Sequence, residues 1–251
     1  MSSLEIEKLG PYRLQEVIGN GGMAKVYRAT QEGDHGFSKP VALKLLKPQL
    51  AADPDAVDAF ISEARLGSLL SHPHIVAVLN FGQLEQYYFL AMELMEGPTL
   101  FEVLTCHQRL QRRIPPAIVF QLIRQVCEGL SFAHQAMDRT GQPLNVIHRD
   151  LKPSNVLLSW HGVAKLGDFG VARAESNLLH TRVGGVAKGT AQYMAPEQAW
   201  GELELTPRTD CAGVEAAAPA PLAASVPSKE PPSHVTLSPR SSASREHRWA
   251  A

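Results

Sequence analysis

The chain has 251 residues, 44% hydrophobic and 20% charged, with 24 lysines and arginines against 25 acids and a formal net charge of −1. That length supports one large or two modest cores, the composition excludes collagen-like, coiled-coil and wholly disordered chains, and the charge balance shows no bias toward nucleic acid. Three widely spaced cysteines, Cys106, Cys127 and Cys211, fit neither a disulfide framework nor a zinc site, so a reducing compartment is expected. The opening MSSLEIEKLG has acids where a signal peptide needs a basic and then an apolar run. No apolar stretch reaches the roughly 18 residues of a membrane helix, so a cytoplasmic location without a membrane segment is expected.

In chain order, residues 11–47 alternate apolar and polar positions in three short runs, YRLQEVIG, KVYRAT and KPVALKLL, broken by glycine-rich turns. They predict a hairpin-rich antiparallel sheet. From Asp55 to Leu70, Val57, Phe60, Ile61, Ala64, Leu66 and Leu69 fall at helical spacing behind DPD, which predicts one amphipathic helix. Two further strands are expected at IVAVLNFG and YYFLAMEL, then helices at TLFEVLTCHQRL and PAIVFQLIRQVCEGLSFAHQAM after the Gly97-Pro98 break. A β-rich lobe followed by a helical lobe, with the boundary near Glu96, is therefore expected. From Cys211 onward ten alanines, six prolines and seven serines replace large apolar residues, which predicts a disordered tail over 211–251.

Four motifs carry chemistry. In Gly19-Asn20-Gly21-Gly22-Met23-Ala24-Lys25-Val26 the glycines let backbone N–H groups approach phosphate oxygens, and Ile18 and Val26 could cover a base. Alone this is equally a hairpin turn, and a dinucleotide fingerprint would need a following helix where KVYRAT reads as a strand. Lys44, in the apolar strand Val41-Ala42-Leu43-Lys44, needs a carboxylate or phosphate if buried, and Glu63 in the helix interior is the candidate. Alone the pair reads as a snorkelling lysine and a solvated helix charge. His148-Arg149-Asp150-Leu151-Lys152-Pro153-Ser154-Asn155 concentrates polar groups between the apolar NVI and VLL, which favours a functional loop between short strands. Asp168-Phe169-Gly170 puts an aspartate beside a flexible glycine at a strand end, which suits a metal but is commonly a turn.

Together and in this order these motifs form the protein-kinase signature set. The chain resembles the eukaryotic-like (Hanks-type) serine/threonine protein kinases of bacteria through GNGGMAKVY, VALK, SEAR, HPHIV, HRDLKPSN, DFG and GTAQYMAPEQ, over residues 12 to about 210. The resemblance implies an α+β, bilobal protein-kinase-like fold, with a β-rich small lobe at 12–95 behind an extension at 1–11 and an incomplete helical large lobe at 96–210. It implies transfer of the γ-phosphoryl of ATP, with Mg2+, to Ser or Thr hydroxyls of protein substrates, the chain itself included. Carried over residue by residue, Lys44 holds the α- and β-phosphates and pairs with Glu63, Asp150 accepts the hydroxyl proton, Lys152 contacts the transferred phosphoryl, and Asn155 and Asp168 hold magnesium. The loop from Ile18 to Val26 covers the nucleotide, Met92 is the gatekeeper, Glu93 and Met95 offer backbone bonds to adenine, and Ala42 and Leu157 sandwich the base. Lys152 with Thr190 points to serine or threonine as acceptor. Ser176 and Thr181, between DFG and APE, are candidate phosphosites, while Thr190 reads as a positioning residue.

Three positions depart from the pattern. Ala24 replaces the third loop glycine, which should stiffen the loop without blocking phosphates. Gly67, one turn after Glu63, replaces an apolar side chain that stacks toward Phe169 and His148, which predicts a small void and a looser active conformation. After Asp210, which matches the aspartate that anchors the HRD loop, CAGVEAAAPAPLAASVPSKEPP matches nothing in the family and reads as a frameshift or truncation, leaving no arginine partner for Glu197. Two alternatives to an active kinase follow: an inactive nucleotide-binding or interaction module lacking the C-terminal helices, and a misframed chain without a stable fold. His72 and His74 read as a structural turn rather than metal ligands, and Cys106 and Cys127 as ordinary helix residues.

Overall fold

A computed structural model of the protein describes residues 6–169, 193–200 and 205–217. The strands are β1 (Lys8–Leu9), β2 (Tyr12–Asn20), β3 (Ala24–Glu32), β4 (Ser38–Leu46), β5 (Val78–Leu84), β6 (Tyr87–Glu93), β7 (Val156–Leu158) and β8 (Ala164–Leu166). The helices are α1 (Pro54–Leu69), α2 (Leu100–Arg109), α3 (Pro116–His134), a single turn α4 (Pro196–Ala199), and α5 (Pro207–Ala217). Among the described residues no helix is long and apolar enough to cross a membrane.

The first six strands form one antiparallel sheet in the order β1-β2-β3-β4-β6-β5. Strand periodicity sorts β4 cleanly: Val41, Leu43 and Leu45 enter a cluster with Leu9, Tyr12, Tyr27 and Phe89, whereas Leu46 packs with Phe60 and Ala64 of α1. Lys44 shares the parity of Leu46, so it faces the helix. The sheet curls until its distant members meet, with Asn80 Nδ2 of β5 donating to the Tyr12 hydroxyl of β2 at 3.0 Å. The expected extension at 1–11 is corrected in part. Leu9 is buried in the sheet's core and β1 pairs with β2, because the apolar Ile6 and Leu9 complete the curled face.

Helix α1 starts at a Pro54 first turn capped by Asp53, whose carboxylate accepts from Asp55 N at 3.1 Å. Its Phe60 and Ala64 belong to the small-lobe core, while Leu66 and, just past the helix end, Leu70 pack into the core of the helical lobe with Ile75, Val126, Leu130 and Phe169. In the helical lobe a capping box of Thr99 and Glu102 opens α2. Buried Gln125 of α3 pins the turn between β7 and β8, donating to Gly162 O at 3.1 Å and accepting from Ala164 N at 2.8 Å. The expected strand at NVI is absent; Asn145, Val146 and Ile147 run as irregular chain into the loop, and only VLL pairs, with β8.

The expected disorder of 211–251 is corrected over its first residues, because α5 continues through Ala217. Alanine is the strongest helix former, and Val214 docks on the helical-lobe core while Gly213 lies directly on Leu151. Residues 218–251 lie outside the described residues.

The crossing between the lobes depends on Gly97. A Cβ there would overlap the carbonyl oxygen of Leu158, whose N–H donates to Pro98 O at 2.9 Å. Gly97→Ala should therefore cost about 1–3 kcal/mol in urea unfolding, the usual penalty of overpacking against atoms that cannot yield. Gly22→Ala, where no atom lies within 4 Å of the new methyl, should stay within about 0.5 kcal/mol.

Candidate active site

The centre of the cleft is an ammonium between two carboxylates. Lys44 Nζ donates to Glu63 Oε1 at 2.5 Å and to Asp168 Oδ1 at 2.9 Å. Lys44 and Glu63 are nearly buried and Asp168 is half exposed. Burial works against the ammonium, but Asp168 and Glu63 more than offset it and raise the Lys44 pKa above its ordinary value. Lys44 in turn holds the Asp168 carboxyl below the usual range. Burial pushes Glu63 up, against the pull of Lys44. All three groups therefore meet at one point, although they come from a strand, a helix and a segment more than a hundred residues away.

The HRD segment forms a second cluster. Lys152 Nζ donates to Asp150 Oδ2 at 2.8 Å, and Asn155 Nδ2 donates to Asp150 O at 2.9 Å and to Asp150 Oδ2 at 3.2 Å. Asn155 O accepts from Gly167 N at 2.9 Å, so the loop is tied to the residue before Asp168. Arg149 and Asp168 both have positive φ, 64° and 53°, and Asp210 stabilises the first of these turns. Its buried carboxylate accepts from His148 N at 2.8 Å, Arg149 N at 2.9 Å and His134 Nε2 at 2.8 Å. His148 lies against Phe169 with ring centroids 4.6 Å apart and shares a hydrogen bond with Gly167 O through Nε2 at 3.1 Å.

The glycine-rich segment is a strand-turn-strand, with Asn20 opposite Lys25 and Gly21 N donating to Ala24 O at 2.9 Å. No helix follows it, which removes the dinucleotide alternative. The Ala24 methyl is buried with Leu46 and Phe60 in the small-lobe core, so it is directed away from the loop's backbone N–H groups. Met92 on β6 sits opposite Ala42 on β4, next to the stretch carrying Glu93 and Met95, and Leu157 lies on β7 below the crossing. Ile18 is exposed at the end of β2, while Val26 is half-buried on β3. Ser176 and Thr181 lie outside the described residues, as do Gly170 and Thr190.

Several site contacts escaped the sequence. Glu93, expected to act through its backbone, also uses its side chain: Oε1 accepts from Ala77 N at 2.7 Å and from Lys165 Nζ at 2.6 Å, joining the crossing to β8. The only available signal was an acid placed where the sheet ends. Glu197 accepts from Thr209 Oγ1 at 2.8 Å, and Gln198 Nε2 donates to Arg149 O at 2.7 Å. The void expected at Gly67 is corrected. A Cβ built there would lie 2.7 Å from Val78 Cγ2, so Val78 fills the space. His72 Nδ1 accepts from His74 N at 3.2 Å inside the expected structural turn.

Burial pushes the His148 pKa down, so the folded state keeps this ring neutral. The unfolded chain protonates it below about pH 6.5, so unfolding takes up a proton there and this contribution to stability falls as pH drops. Melting curves from pH 7 to 5 should show a steeper decline for the natural chain than for His148→Phe.

The comparisons with known proteins agree with this geometry. The model of the protein kinase domain matches residues 12–214, four residues beyond the expected limit. The chain is 41% identical over 205 residues to the tyrosine-protein kinase MasK of Myxococcus xanthus, covering 82% of this chain and 31% of that protein. It is 36% identical over 206 residues to the serine/threonine-protein kinase PknA of Mycobacterium tuberculosis, covering 80% of this chain and 44% of that one. It is also 36% identical over 194 residues to the serine/threonine-protein kinase PrkC of Bacillus subtilis, covering 77% and 28%. The chain thus spans less than half the length of these curated relatives. The crystal structure of the M. tuberculosis PknI kinase domain superposes with a TM-score of 0.62 at 26% identity, covering 86% of this chain and 74% of that one. With the family's motifs in order, its two lobes folded around them and its model matched from 12 to 214, the chain belongs to the protein kinase family.

Proposed function

We propose that this chain binds ATP with Mg2+ between its lobes and transfers the γ-phosphoryl group to serine or threonine hydroxyls of proteins, itself among them. The observation that carries this reading is the convergence of Lys44, Glu63 and Asp168 beside the Asp150–Lys152–Asn155 cluster. An ammonium has three N–H groups; Glu63 and Asp168 take two, which leaves one for the α- and β-phosphates. The glycine-rich turn offers backbone N–H groups to the remaining phosphate oxygens.

The donor set fits magnesium. Asn155 directs its amide nitrogen at Asp150, which leaves its oxygen to face a cation, and Asp168 has a half-exposed carboxylate. Two hard oxygen ligands completed by substrate phosphates are the usual protein share of a magnesium site. The ion would supply electrostatic stabilisation of the negative charge on the phosphates. Asp150 accepts the proton of the acceptor hydroxyl as its oxygen bonds to the γ-phosphorus, and Lys152 balances charge on the transferred group while ADP departs.

Two measurements test this. Mg-ATP at a hundred times its Kd should stabilise the chain by about 2.7 kcal/mol, and Lys44→Met should remove most of that gain in thermal melts. Asp150→Asn should lower transfer by about 10²–10⁴ with ATP affinity nearly unchanged. No transfer by the natural chain despite ATP binding would favour the nucleotide-binding module instead. The name of MasK makes tyrosine the second reading of the acceptor. Phosphoamino-acid analysis should yield phosphoserine or phosphothreonine, and phosphotyrosine as main product would overturn the first reading.

A further inference from the structure

We infer that Cys127 of α3 and Cys211 of α5 form a dithiol pair that closes reversibly to a disulfide, a redox-responsive staple between the two helices beside the Asp210 anchor. The sequence keeps these cysteines far apart, and the fold brings them to one interface. Helices α3 and α5 pack on each other and are joined by the 2.8 Å hydrogen bond between His134 Nε2 and Asp210 Oδ2. Cys127 precedes His134 by about two turns, so both side chains leave the same face of α3. Cys211 directly follows Asp210, where α5 is held against that face. The electrostatics agree with this placement. Burial pushes the Cys127 thiol up, and Cys211 adds to the rise ahead of Glu128, the next residue of α3. The interaction of two such groups falls with separation, so the thiols are near neighbours.

Both thiols are free and exposed, open to a small reagent. Cys211 Sγ lies 3.7 Å from Pro207 O of its own helix, a weak contact that rotation about χ1 gives up. A low-molecular-weight disulfide is the oxidant. The Cys211 thiolate attacks one sulfur of that reagent, which forms a mixed disulfide and releases one small thiolate to take up a proton. The Cys127 thiolate then attacks the Cys211 sulfur; the internal S–S bond forms, the mixed bond breaks and the second small thiol leaves. Two protein thiols thus give up two electrons and two protons, and one external disulfide becomes two thiols. Because the Cys127 thiol holds its proton more firmly than an ordinary cysteine, it suits the second step.

The link would fasten α5 one residue away from the carboxylate that accepts from His148 N and Arg149 N. It would also close a long loop containing the whole HRD segment, and a longer loop constrains the unfolded chain more. Oxidation therefore tightens the support of that segment, and reduction releases it. None of this depends on the phosphoryl transfer proposed above.

The test equilibrates the full chain with oxidised and reduced glutathione, blocks remaining thiols with N-ethylmaleimide and maps the disulfides by mass spectrometry. The natural chain should lose two hydrogens, with Cys127 joined to Cys211 as the main link and Cys106 of α2 carrying the blocking group. In urea, loop length governs pairing, and the shorter Cys106–Cys127 loop should take over. The oxidised chain should melt at a higher temperature than the reduced chain, dithiothreitol should abolish the difference, and Cys211→Ser should lack it. In Cys127→Ser, glutathione should remain attached at Cys211. Separate glutathione adducts on Cys127 and Cys211 without an internal link, links between chains, or the same pairing with and without urea would each overturn the inference.

Discussion

A buried ammonium has to be neutralised locally, and the cleft of this protein is arranged around that requirement. Lys44 is nearly out of water, and its charge is tolerable only because Glu63 and Asp168 both reach it. Glu63 belongs to α1, so the helix must sit on the sheet. Asp168 follows β8, so the helical lobe must close under the sheet. Removing either carboxylate would leave a cation without half of its compensation, which makes one electrostatic demand the point where strand, helix and second lobe are registered against one another.

Asp210 plays the corresponding part in the lower lobe through hydrogen bonds instead of an ion pair. Two backbone N–H groups and one imidazole converge on a single buried carboxylate, and this charge-assisted set stabilises the left-handed turn at Arg149. Gln198 holds the carbonyl of the same residue. The peptide groups before Asp150 are thereby fixed from both ends, and Asn155 and Lys152 fix the carboxylate itself. The loop is polar, yet its geometry is as constrained as that of a packed core.

What the sequence made legible was local. Each motif carries its own spacing, so Lys44, Glu63, Asp150, Lys152, Asn155 and Asp168 could be named from short runs of residues, and period-two alternation placed the strands of the sheet. Contacts created by topology were hidden: nothing near Glu93 announces Lys165, and nothing near Glu197 announces Thr209. Glycine at 67 reads as a deletion when only its own side chain is considered. Its meaning depends on Val78, supplied by a neighbouring strand. The alanine-rich stretch after Asp210 misled for a different reason, because the same residues that are too small to build a core are the ones that most readily continue a helix already docked by its first turn.

Helix α1 and the residue that ends it divide their apolar side chains between two cores, Phe60 and Ala64 above and Leu66 and Leu70 below. A rigid rotation of one lobe away from the other would expose one half of that helix's contacts to solvent. Helix α1 thus gears the lobes together alongside the Lys44–Asp168 and Glu93–Lys165 contacts, and the crossing at Gly97 is a pivot with restricted travel rather than a free joint. Any opening between the lobes would have to part α1 from one of its two cores, so the width of the cleft is coupled to where this helix rests.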